Sequence, residues 1–77
     1  MEKYKNYLNA FNAFINSFNS YNYNKRLNEI IDNKKSIDES KKDLKKKASK
    51  LYSEFKKIPE ALQLPEIENK INEVLSL

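Results

Sequence analysis

Residues 4–21 read YKNYLNAFNAFINSFNSY, and the fold turns on that stretch. Large apolar side chains stand at Tyr4, Tyr7, Leu8, Phe11, Phe14, Ile15, Phe18 and Tyr21, the i, i+3, i+4, i+7 recurrence of one helix face. At 100° per residue they fill a contiguous arc of roughly 140°. The rest of the circumference carries Asn6, Asn9, Asn12, Asn16, Ser17, Asn19 and Ser20, with Ala10 and Ala13. A helix over residues 2–21 follows. Asn is a weak helix former, so this helix holds only if its stripe is covered by another element or another molecule. Residues 6–24 contain no charged side chain, yet the asparagines argue against a membrane span, since each would leave an amide unsatisfied in lipid.

Working outward, Asn19-Ser20-Tyr21-Asn22-Tyr23-Asn24 gathers turn-favouring residues, and Asn24 suits an N-cap. A helix boundary is expected there. A second frame then runs Tyr23, Leu27, Ile30, Lys34, Ile37, Lys41, Leu44, Ala48, Leu51, Phe55, Ile58, with the alternating spacings of a coiled-coil-like seam. It predicts a central helix over 24–57. Lys34 and Lys41 interrupt the seam, and Ser36 with Glu39 forms a capping box, so a break near 33–36 competes with one continuous helix. Pro59 stops the helix, because a proline disfavours helical geometry at the residue before it. In the tail, Pro65 fits the first position of a short helix over 65–76, with Glu66 and Glu68 suited to its N-terminus and Ile67, Ile71, Val74 and Leu75 on its apolar face. At 1.5 Å per residue the first and last helices measure about 30 and 17 Å, close together to the ~50 Å of an unbroken middle helix. The expected fold is all-α: an antiparallel helical hairpin, or a three-helix arrangement with a long central coiled-coil-like helix and a short C-terminal one, in a single domain over 1–77.

Composition narrows the function. The 77 residues include no Gly, Cys or His and only two Pro. Without Gly, the turns of β-hairpins and phosphate-cradling loops are missing; without Cys and His, disulfides, the usual zinc or iron ligands and the common nucleophile–base pairs are missing too. Carboxylate pairs such as Glu66 with Glu68, or Asp38 with Glu39, read as helix-terminal acids and solvated charge. No enzyme, metal, cofactor or small-molecule substrate is expected. A core of this size seldom supplies more than ~3–5 kcal/mol, which leaves partnering as the remaining route to stability. No basic n-region with an apolar core opens the chain and no apolar run spans a membrane, so a cytoplasmic location is expected, with non-classical export left open. The Asn, Lys, Ile, Tyr and Phe content, encoded by A/T-rich codons, points to a low-GC genome and carries no functional weight.

Two surfaces qualify for binding. The first is the aromatic stripe, with Tyr4, Tyr7, Phe11, Phe14, Phe18 and Tyr21 as candidate partner contacts. The first half of the central frame offers only Leu27, Ile30, Ile31, Ile37 and Leu44 against eight large residues, so some aromatic area is expected to face a partner, where such side chains are favoured anchors. The second is the lysine-rich stretch 34–57, with ten Lys against four acids and Lys41, Lys42, Lys45, Lys46 and Lys50 as candidate polyanion contacts. The chain as a whole is basic, with a net charge of +4, yet it has a single Arg26 to read bases, and its nearby aromatics lie on the apolar stripe. The expected function is therefore a non-enzymatic protein–protein interaction module (adaptor, assembly or structural component, or stoichiometric inhibitor) or a homo-oligomer, with a nucleic-acid-binding accessory protein as the alternative.

Overall fold

The computed structural model describes residues 4–77, and the predicted helix start at residue 2 lies outside them. The described residues are all-helical, with 81% of them in helices and no strand. Helix α1 covers Lys5–Leu27, α2 covers Lys34–Phe55 and α3 covers Pro65–Leu75. A 3-10 turn at Glu60–Leu62 links the last two. α1 and α2 form an antiparallel hairpin, and α3 returns along α2 in the direction of α1. The molecule measures 44 × 22 × 15 Å.

Two expectations about boundaries are corrected. α1 passes straight through Asn19–Asn24, because Tyr21 is buried against α2 and Asn24 holds the helix to its neighbour, its Nδ2 donating to Ser40 Oγ at 2.5 Å. Tertiary contacts override the weak local propensity of the asparagines. The turn falls instead at 28–33, where Asn33 Nδ2 donates to the Asn24 carbonyl at 3.0 Å and the Asn33 backbone N–H donates to Asn28 Oδ1 at 3.2 Å. Of the two alternatives for residues 24–57, the continuous helix is not formed: the stretch comprises the end of α1, a turn and a 22-residue α2 that starts at Lys34, within the 33–36 region where the break is expected. Ile30 and Ile31 stand at the tip of that turn, outside any helix seam. At the C-terminal end, Pro65 is the first residue of α3 with Glu66 and Glu68 in its first turn, where acids complement the helix dipole.

The core lies where all three helices converge. From α2, Leu44, Ala48, Leu51 and Phe55 are buried, joined by Ile58 beyond its end; α1 adds Ala10, Phe14 and Tyr21, and α3 adds Ile71 and Val74. The four-three spacing after Lys41 therefore serves the chain's own interior, while Lys34 is exposed. Along one edge of this core two polar pairs tie α1 to α2: the buried Ser17 hydroxyl donates to the Asp43 carboxylate, and Asn24 meets Ser40. Along the other, Lys56 Nζ reaches Glu68 Oε2 at 2.7 Å and Lys45 Nζ donates to the Leu77 carbonyl at 2.8 Å, fixing α3 on α2.

The core is small, so each member matters. Leu44→Ala or Leu51→Ala removes a fully enclosed side chain and should cost about 2–5 kcal/mol, enough to leave much of so small a chain unfolded. Ile30→Ala, at an exposed tip, should stay within about 0.5 kcal/mol of wild type. Urea titration followed by circular dichroism checks both.

Candidate functional site

The buried face of α1 is not the centre of its apolar arc. Ala10, Phe14, Ser17 and Tyr21 are the residues enclosed against α2, and their mean direction lies about 80° from the middle of the eight-residue stripe. α2 therefore covers one edge of the stripe, including Ala10 and Ser17 that the sequence assigns to the polar side. The opposite edge, with Leu8 and Ile15, stays exposed.

α3 does not close over that edge. No Cα of α1 comes within 8 Å of one in α3 among the described residues. The two helices instead flank a groove. At one end it is an apolar cavity of about 280 Å³ lined by Tyr4, Tyr7, Leu8, Ile58, Leu62, Leu64 and Ile67. At the other end Lys70 of α3 reaches across, its Nζ 4.4 Å from the centroid of the Phe18 ring, a cation–π contact that bridges the gap. Leu8, Leu62 and Leu64 are each about half exposed. None of the three is needed to complete the core.

The predicted aromatic site is therefore divided. Phe14 (2% exposed) and Tyr21 (8%) are core residues, correcting their assignment as partner contacts, since their rings are already enclosed by α2 and α3. Tyr4, Tyr7, Phe11 and Phe18 are partly buried and pack on that core. Tyr7 is the pivot, its ring 6.1 Å from Phe11 and 6.4 Å from Phe55, and burial pushes its phenol pKa upward. Tyr4 and Tyr7 line the groove. The apolar surface left open is thus mainly aliphatic, and its α3 side comes from Leu62 and Leu64, which helix-face reading alone does not single out. Their signal lies in the sequence all the same: Leu62-Gln63-Leu64 sits between Pro59 and Pro65, where neither neighbouring helix requires large apolar residues.

The groove opens sideways into a polar cleft of about 390 Å³ lined by Tyr4, Asn6, Tyr7, Glu54, Lys57, Ile58 and Pro59. Glu54 is the one buried acid among the described residues. Burial raises its carboxyl pKa, but hydrogen bonds and charge from Lys57 (3.3 Å) and Lys50 (3.4 Å) outweigh that cost and hold it below the usual carboxylate value. Glu54 thus caps the end of the core as a satisfied ion cluster.

The lysine candidates are dispersed over α2. Lys42 and Lys46 point to solvent without an ion pair, Lys50 pairs with Glu54, Lys45 is engaged by the Leu77 carbonyl and Lys41 is half-buried. No group of three or more metal-capable side chains lies together among the described residues, and no described helix is long and apolar enough to cross a membrane. Comparison with protein-family models, curated proteins and solved structures gives no match. The groove has to be read from its own chemistry.

Because the folded-state pKa of Glu54 is lowered, its contribution is present above the unfolded value of about 4.3 and disappears as pH falls through the folded value. Glu54→Gln should therefore be less stable than wild type at pH 7, and the gap should close on acidification toward pH 3. Thermal melts of both proteins across that range measure it.

Proposed function

We propose that this chain is a non-enzymatic helical protein–protein interaction module whose partner occupies the groove between α1 and α3. The observation that carries this reading is the gathering of half-exposed Leu8, Leu62 and Leu64 with Tyr4, Tyr7 and Ile67 around one apolar cavity. Leaving such surface in water forfeits ~25 cal/mol per Å², and concave apolar surface with aromatic walls is what partner side chains dock into. Glu60 and Glu66, in the stretch that also carries Leu62 and Leu64, are exposed and form no ion pair among the described residues. A fitting partner presents an apolar ridge.

A second reading, nucleic-acid binding, draws on the exposed and unpaired Lys42 and Lys46. It is the weaker one. Lys45 and Lys50 are already engaged within the chain, and among the described residues the lysines that meet an aromatic ring are Lys25, Lys56 and Lys70, not Lys42 or Lys46.

Photo-crosslinking separates the two. A photoreactive side chain at Leu62 should give a discrete protein adduct, lost on Leu8→Asp, while the same group at Lys42 should give none. Adducts to nucleic acid from Lys42 alone would overturn the interaction reading. In a salt titration, binding to generic duplex DNA should already be undetectable at 50 mM salt; steeply salt-dependent binding would favour the lysine face.

A further inference from the structure

The 15 basic and 11 acidic side chains of the protein all lie outside residues 6–24. Those nineteen residues hold seven asparagines and six aromatic rings, with no Gly and no Pro. It is the placement that counts, because a long stretch free of charge and of chain breakers, rich in rings and amides, has the composition from which stacked β-strands are built. The structure folds this stretch as helix, yet local interactions contribute little to that. The N-terminus of α1 has no side-chain cap and no acid in its first turn, and the ion pairs spaced three or four residues apart lie within residues 43–57 and 70–73. What holds α1 is tertiary: Phe14 and Tyr21 in the core, Ser17 on Asp43 and Asn24 on Ser40.

Extended, the same residues sort differently. Alternation puts Tyr21 and Tyr23 on one face of residues 18–24 and Asn22 and Asn24 on the other. Asparagine is a poor residue in an ordinary strand, but identical strands stacked in register join its side-chain amides into a ladder, and the tyrosines into a column of rings. No like charges meet between layers, because the stretch carries none. We infer that residues 6–24 hold a second, latent structure: released from α2, this segment of one copy stacks in register on the same segment of other copies as a cross-β fibril, with the charged remainder of each chain left outside. In the folded monomer the segment is committed to the core, so α2 acts as its guard. The inference is separate from the groove reading, since it needs no occupant there.

The test follows the full 77-residue chain at about 100 µM under agitation, by thioflavin fluorescence and fibre diffraction. Wild type should stay helical and soluble. Leu44→Ala, which removes a fully enclosed core side chain, should convert to fibrils with a meridional spacing of about 4.7 Å. Chymotrypsin should spare the aromatic positions from Tyr7 to Tyr23 in those fibrils while cutting at Tyr52 and Phe55. Adding Asn19→Lys and Tyr23→Lys to Leu44→Ala puts like charges in every layer and should abolish fibrils; both positions are exposed in the fold. Adding Ser49→Lys and Ser53→Lys instead, exposed positions on α2 with the same gain in charge, should leave fibril formation intact. Should Leu44→Ala keep the wild-type helical spectrum, Leu44→Ala with Leu51→Ala takes its place. An unfolded chain that stays soluble, a protease-resistant core outside residues 6–24, two lysine pairs that act alike, or a wild type that assembles as fast as the core variant would each overturn the inference.

Discussion

A helix can be covered on only part of its circumference by one neighbour, and α1 carries an apolar arc wider than α2 covers. Everything else in the structure follows from how that excess is handled. α2 takes one edge, and it does so with Leu44, Leu51 and Phe55, which run from the level of Ser17 in the middle of α1 to that of Tyr7 in its first turns. α3 is then the only element left to cover the remainder. Its eleven residues are anchored to α2 through Ile71 and Val74, a placement that shares the core but keeps it clear of the α1 backbone. The open groove is the residue of this geometry: two helices compete for the same face of a third, and the strip between them stays uncovered.

The polar pairs explain why α1 is rotated as it is. A rotation that centred the stripe on α2 would pull Ser17 away from Asp43 and Asn24 away from Ser40, and would leave Tyr21 in water. Two short hydrogen bonds between partly buried groups, each worth about 1 kcal/mol and more where a carboxylate accepts, thus set the rotational register that apolar burial alone leaves loose. Packing then fixes how close the helices come, and Ala10 and Ala48, both buried, allow that approach without displacing a ring.

Much of this is legible in the sequence, and the failures have identifiable physical causes. The helical character of residues 4–21, the helix stop before Pro59 and the start of α3 at Pro65 follow from local rules of periodicity and proline geometry. The boundary at 19–24 misleads because Asn and Ser favour turns only when nothing better is offered; here Ser40 and the core offer something better. Ile30 and Ile31 fit a seam by spacing alone, yet spacing counts residues without knowing that the helix has ended. The site itself is half legible. An apolar surplus on the first helix can be counted, but whether its rings or its aliphatic edge remain outside depends on the rotation fixed by Ser17 and Asn24, which is a tertiary matter. That Leu62 and Leu64 complete the opposite wall depends on where the chain returns, which no local pattern records.

The single strap across the far end of the groove has a further bearing. Lys70 holds its ammonium over the Phe18 ring on a flexible four-carbon stem, while the apolar cavity near Leu62 stands open. With the α1 and α3 backbones kept apart, this one side chain spans at Phe18 the gap that main-chain packing leaves open. The two ends of the gap are thereby made unlike, a cation over a ring at Phe18 and aliphatic side chains at Leu8.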